Sequence, residues 1–170
     1  PDWDEWGRLS THLRQTETAC ADNVKVSNFS VDDARTYHRA TYSIGRGAGR
    51  LFLRHVDLSE KSYMIDIGGG SGAYCIEACK AHPQLKACVL DLEPVAVVAR
   101  EFIDEHELAS RVEARACDFN RDPFPTGADL AVMASNLPMY GRDEFRAVVA
   151  KAFAALQPGG EMHLIGEAMN

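Results

Sequence analysis

The segment YMIDIGGGSGAYC, Tyr63 to Cys75, constrains the fold more than any other stretch of the chain. A short apolar run broken by one acid passes directly into glycine at positions 68, 69, 70 and 72, and from there into a helical pattern. Glycine has no Cβ, so such a turn lets the backbone take positive φ and lets a ligand lie against the main chain. The chain beyond it keeps alternating. Apolar runs at Tyr63 to Ile67, Ala87 to Leu90, Val112 to Ala116, Leu130 to Ala134 and Met162 to Gly166 read as strands. Helical patterns fall between them over Gly72 to Ala81, Pro94 to His106 and Asp143 to Leu156, the last running into the stop signal QPGG. This order predicts an α/β fold with a Rossmann-like, doubly wound parallel sheet that binds its ligand at the carboxyl ends of the strands.

Residues 1–57 carry no strand pattern. Trp6, Leu9 and Leu13 stand at helical spacing, and a second helical run follows SNFSVDD, with Ser30 or Asp32 as its N-cap. The expected division is a helical segment over 1–57 and a ligand-binding domain over 58–170. With 170 residues and 46% hydrophobic content, the chain has enough apolar material for one core. A net charge of -7 opposes attraction to phosphate backbones, so nucleic acid is not expected as a partner. No apolar run approaches the roughly 20 residues that span a bilayer, so no membrane partner is expected and the chain reads as cytoplasmic. The 5 cysteines form no CxxC pair, which favours free thiols over a metal site. Cys75 and Cys79, four apart, share one face of a helix that reads as core.

The glycine spacing alone also fits a dinucleotide fingerprint through Gly68, Gly70 and Ala73. Asp66 separates the two readings. A dinucleotide brings an anionic pyrophosphate to this turn, and a carboxylate two residues before the first glycine repels it. S-adenosylmethionine (SAM) has no phosphate and brings an ammonium and a sulfonium instead, which makes the acid an asset. Asp91 ends the second strand about twenty residues on, where an acid accepts hydrogen bonds from ribose hydroxyls. After the third strand, Asp118 stands where it would accept from an adenine amino group and Phe119 where it would lie against the ring. Taken alone, Asp118 reads almost as well as a solvated loop acid.

The segments MIDIGGGSGAYCIEACKAHPQLKACVLDLEPV, CDFNRDPFP and ALQPGGEMHLIGE together resemble the class I SAM-dependent methyltransferases. They are most similar to the two-domain small-molecule O-methyltransferase family, which acts on hydroxyindoles, phenolics and polyketides. The resemblance implies that Asp66, Gly68 and Gly70 hold the methionine part of SAM. It assigns Asp91 with Leu92 to the ribose and adenine edge, and Asp118 with Phe119 to adenine. It further implies seven strands and an N-terminal dimerisation domain, so the chain is expected to be the tail of that domain plus a core lacking its last two strands, with a homodimer formed by the full-length protein.

One departure bears on the chemistry. In that family a histidine after strand four removes the proton of the acceptor's hydroxyl. Here the matching stretch is MASNLPMYGRDEF, and Met139 falls at the histidine's place. Methionine takes no proton. The sequence therefore favours an acceptor that needs no deprotonation, an S-methyl transfer to a small thioether acid similar in kind to methylthiohydroxybutyrate. The alternatives are O- or C-methylation of a hydroxylated aromatic or keto acid with His38 or Tyr140 as substitute base, and, in other classes, an NAD-binding oxidoreductase or an inactive SAM-binding scaffold. Tyr37, His38 and Tyr42 in TYHRATYS, with Asn136, Met139 and Tyr140 after strand four, are the expected acceptor contacts. Packing between helix and sheet is an equal reading for the aromatics, and His163 reads as a core residue.

Overall fold

The computed structural model describes residues 29–136 and 141–166. Its elements, in chain order, are α1 (Val31–His55), β1 (Tyr63–Ile67), α2 (Ala73–Ala81), β2 (Lys86–Asp91), α3 (Glu93–Glu105), β3 (Val112–Ala116), β4 (Ala128–Ala134), α4 (Arg142–Ala155) and β5 (Leu156–Ile165). The expected helix around Trp6 and Leu9, Cys20, and the candidate residues Met139 and Tyr140 lie outside the described residues.

The five strands form one parallel sheet in the order β3-β2-β1-β4-β5. Successive residues of a strand point to opposite faces; the inner strands β1, β2 and β4 are covered on both faces and read as nearly continuous apolar runs, whereas the edge strand β3 alternates buried and exposed residues. Met64, Val89, Leu130 and Val132 pack beneath α1, α2 and α3, together with Tyr74, Val98 and Phe102. Ile65, Ile67, Leu90, Ala131 and Met133 pack on the other face against Val148 and Ala152 of α4. The chain runs outward from β1 to β3, then returns to the far side of β1 as β4. That reversal opens a crevice at the carboxyl ends of β1 and β4, the place where doubly wound sheets bind ligands.

β1 and β3 keep the bounds expected from sequence, whereas β5 begins earlier. Leu156 already pairs with Ala128, and the next pair is Glu161 with Leu130, so residues 157–160 bulge out of the ladder with Gly159 at φ 84°. QPGG is thus an excursion within the strand, and α4 stops one residue sooner, at Ala155. Asp129 ties the start of β4 to β1: its Oδ2 accepts from the Ser62 N–H and Oγ, both at 2.7 Å, and its Oδ1 from the Tyr63 N–H at 3.1 Å. Asp129→Ala removes the acceptor of these part-buried hydrogen bonds and is expected to cost about 1–3 kcal/mol of stability. A urea midpoint unchanged from wild type would show that water replaces the carboxylate at no cost.

Helix α1 starts at Ser30, one of the two caps expected. The Ser30 hydroxyl accepts from the Asp33 N–H at 3.1 Å and the Asp33 carboxylate accepts from the Ser30 N–H at 3.0 Å, a reciprocal capping box. A helix this long needs a partner along its face, and α1 crosses α2 where Gly45 and Gly49 face Ala73 and Tyr74. A Cβ on Gly45 would stand 3.1 Å from that of Ala73, so the small residue is what allows the close crossing. Arginines fasten the seam. Arg46 and Arg50 each donate to Glu77 of α2 at 2.7 Å, while Arg35 and Arg39 reach Glu101 and Glu105 of α3, both at 2.7 Å. Burial pushes the Glu77 carboxyl up, but the hydrogen bonds from Arg50 and Arg46 outweigh it and leave its pKa below the usual value. No helix among the described residues is long and apolar enough to cross a membrane.

Candidate cofactor-binding site

The glycine turn runs from the end of β1 to the N-terminus of α2 and lies at the mouth of the crevice. Gly68, Gly70 and Gly72 have φ of 68°, 56° and 74°, a region that disfavours any residue with a Cβ. The space where side chains would go is already filled. A Cβ on Gly68 would stand 2.2 Å from Asn136 Nδ2, one on Gly69 2.6 Å from the Asp66 carboxyl, and one on Gly70 2.8 Å from His38 Cε1. The turn is therefore a bare strip of main chain hemmed by an amide, a carboxyl and an imidazole.

Asp66 forms the floor. It is 1% exposed, and its one hydrogen bond among the described residues comes from the Cys75 thiol at 3.8 Å. No cation among the described residues reaches it. Burial pushes its carboxyl up to about 7, nearby Asp91 adds to the rise, and the Cys75 contact only partly opposes them. Burial, with Asp66 alongside, holds the Cys75 thiol well above its ordinary pKa, so it remains a donor. Asp91 stands beside the turn at the end of β2. Its Oδ2 accepts from the Gly70 N–H at 2.9 Å and its Oδ1 from the Leu92 N–H at 2.8 Å. Burial raises the Asp91 pKa while those two N–H groups pull it down. Each oxygen, having accepted one backbone proton, keeps a lone pair for a diol.

The expected adenine pair separates. The Phe119 ring comes to 3.7 Å from the Cβ position of Gly68, and Lys151 of α4 holds its loop by donating to the carbonyls of Phe119 and Asp122. Asp118 instead closes its own turn: Oδ1 accepts from the Asn120 N–H at 3.0 Å, and Oδ2 faces Arg121 at 3.6 Å. That is the Asx geometry of DFN, and it leaves the carboxylate with acceptor sites to spare.

Of the expected acceptor contacts, His38 and Asn136 meet the turn and two aromatics do not. His38 lies over Gly70 with no hydrogen bond to its ring nitrogens among the described residues, and burial lowers its pKa, which keeps the imidazole neutral. Tyr37 is 60% exposed and touches the His38 ring edge-on. Tyr42 is a packing residue: it stacks on Phe102 with centroids 4.2 Å apart, and its hydroxyl meets His106 Nε2 at 2.5 Å. His163 pairs with Glu161 and sets its ring against Phe52, in keeping with a structural place. Sequence reasoning missed Glu77 and Lys151, which position α1 and Phe119. An acid inside the apolar run AYCIEACKA was the available signal for Glu77; for Lys151 the helical pattern held none.

Residues 19–170 match the family described as the O-methyltransferase domain. The chain belongs to that family. Among curated relatives, it is 37% identical over 118 residues to the 3-hydroxy-5-methyl-1-naphthoate 3-O-methyltransferase of Streptomyces sahachiroi, covering 69% of this chain and 34% of the relative. It is 31% identical over 136 residues to the L-tyrosine C(3)-methyltransferase of Streptomyces lavendulae, covering 78% of this chain and 37% of the relative. The chain thus spans about a third of the length of these two relatives. The fold agrees with that of human N-acetylserotonin methyltransferase, solved in complex with SAM, at a TM-score of 0.78 and 24% identity over 94% of this chain and 47% of that one.

Proposed function

We propose that the full-length protein is a SAM-dependent methyltransferase acting on a hydroxylated aromatic small molecule, with oxygen as the favoured site of methylation. One observation carries the reading: the turn is bare main chain over a buried acid that has no cation partner among the described residues. SAM fits that cradle. Asp66 would face its ammonium, Asp91 would accept from its ribose hydroxyls, and Phe119 would flank its adenine, while Leu92 supports Asp91 from the next residue. A pyrophosphate in the same place would face Asp66 with like charge.

Bound there, SAM supplies a methyl group on a sulfonium, ready for in-line displacement. The chain's own contribution is alignment and a proton acceptor. The glycine turn and Asp91 fix the cofactor against the strand ends, converting a bimolecular encounter into an oriented one. The neutral His38 imidazole stands beside the turn and takes the proton of the acceptor's hydroxyl, a role worth roughly 10²–10⁴-fold in rate. A phenolate made this way is nucleophilic at oxygen and at its ortho carbon. The same base therefore serves O-methylation and the C-methylation named for the tyrosine relative.

This replaces the S-methylation expected from Met139. That expectation rested on the want of a base, and His38 removes the premise; the two curated relatives named above, moreover, are an O- and a C-methyltransferase. The test is to incubate the full-length protein with SAM and, separately, a hydroxynaphthoate, tyrosine and a thioether hydroxyacid, following S-adenosylhomocysteine by mass spectrometry. Turnover with a phenol and none with the thioether is expected. Turnover with the thioether alone would overturn the reading in favour of S-methylation, and no turnover or SAM binding with any acceptor would overturn it altogether.

A further inference from the structure

Asn136 holds a feature that neither the core nor the proton transfer uses. Its Nδ2 donates to the Ile67 carbonyl at 3.0 Å, at the carboxyl end of β1, which fixes the amide's orientation because a carbonyl accepts only from the nitrogen side. The side chain is 8% exposed, and its Oδ1 is buried with no donor, the one such side-chain atom among the described residues. Buried carbonyls in native proteins are almost always satisfied, so an orphan one at a binding crevice marks a donor that arrives with the ligand. The backbone is bent to present it. Ser135, just before it, sits in the left-handed region at φ 62°, with its N–H held by the Ile165 carbonyl at 2.8 Å. Non-glycine residues rarely adopt that conformation unless the surroundings impose it.

Resting on the SAM reading above, we propose that Asn136 is a cofactor-positioning residue whose Oδ1 accepts a hydrogen bond from the cofactor's α-ammonium. Three observations single out that donor. Asn136 lies against Gly68, which the family resemblance assigns to the methionine part of the cofactor. Asp66, buried beneath Gly69, adds a negative field that favours a cation there. The ribose hydroxyls already have a claimant in Asp91, and Asp118 is the acid expected at the adenine amino group. An ammonium carries three N–H groups, and a carbonyl oxygen beside it takes one without needing to ionise.

The test pairs a ligand change with a side-chain change. Binding of S-adenosylhomocysteine and of its deamino analogue, in which hydrogen replaces the amine, is measured by calorimetry on the full-length protein and on Asn136→Ala. The expected result is that Asn136→Ala weakens S-adenosylhomocysteine by about 10- to 100-fold and leaves the deamino analogue within about threefold. Equal losses for both ligands would reduce Asn136 to a structural support of the turn and overturn the proposal, as would no loss for either. Wild type that binds neither ligand would overturn the SAM reading along with it. Should Asn136→Ala not fold, the side-chain amide resonances of Asn136 in the wild-type protein decide: a shift with S-adenosylhomocysteine that the deamino analogue does not cause supports the contact, and identical shifts overturn it.

Discussion

Asp66→Asn is expected to make the protein more stable and to weaken its grip on the cofactor. The Asp66 carboxyl titrates near 7 in the folded chain because it is buried and has Asp91 nearby, against 3.8 for an ordinary aspartate. Its folded pKa is raised, so between about pH 4 and 7 the unfolded chain gives up the proton and the folded chain keeps it. The folded state then binds more protons, and stability falls as pH rises through that window, by about 4 kcal/mol at its full extent. Asparagine cannot ionise. The variant should therefore match wild type near pH 4 and exceed it in urea denaturation at pH 8, the gap opening across the window. At pH 8, where Asp66 is ionised, it should bind S-adenosylhomocysteine about 30- to 1,000-fold more weakly, since an ammonium a few ångströms from a carboxylate gains several kcal/mol at an effective dielectric near 20, and the difference should shrink toward pH 4. Equal stability of the two proteins at pH 8 would mean that Asp66 ionises in the fold without penalty, and the account of the cradle's floor would fail.

His38→Gln is expected to lower kcat for a phenolic acceptor by about 10²- to 10⁴-fold while S-adenosylhomocysteine affinity moves less than threefold. Glutamine keeps much of the side chain's bulk over Gly70 but has no basic nitrogen. His38→Ala should recover part of the lost rate with added imidazole, which a purely structural role would not allow. Burial lowers the imidazole pKa, and the base works only when neutral. With SAM saturating, so that the ionisation of Asp66 in the free protein does not enter, the kcat/KM profile of wild type for the phenol should carry an acid limb whose midpoint lies below 6.5, a limb that His38→Gln should lack. A variant with unchanged kcat would transfer the proton-accepting role elsewhere, and Tyr140 would be the residue to replace next.

What the letters alone disclosed depends on how local the cause is. β1 could be bounded from YMIDI because a strand covered on both faces is nearly all apolar and glycine marks where it ends, and β3 from VEARA because an edge strand alternates buried Val112 and Ala114 with exposed Glu113 and Arg115. Cys75 and Cys79 were readable as core because helical spacing is local, and both are buried. The early start of β5 was not, since Leu156 joins the ladder only through its partner Ala128 across the sheet. Asp118 and Phe119 are neighbours in sequence, yet one closes its own loop and the other is carried to Gly68 by a loop that Lys151 pins from α4. The orphan oxygen of Asn136 depends on a left-handed Ser135, which no residue preference announces. The close crossing at Gly45 and Gly49 was written in GRGAG, but its meaning required knowing that α2 begins with Ala73.

The arginine-fastened seam between α1 and the sheet domain has an evolutionary consequence. The strand ends carry the residues around the cofactor cradle, whereas the imidazole rides on a separate helix tied down at Glu77, Glu101 and Glu105. Those anchors and the two crossing glycines fix the pose of α1 without using its outward positions such as Tyr37 and Ile44. Those positions can drift while the cradle and the pose of α1 stay as they are, so a lineage built on this scaffold can rewrite the outward face of one helix without disturbing the domain.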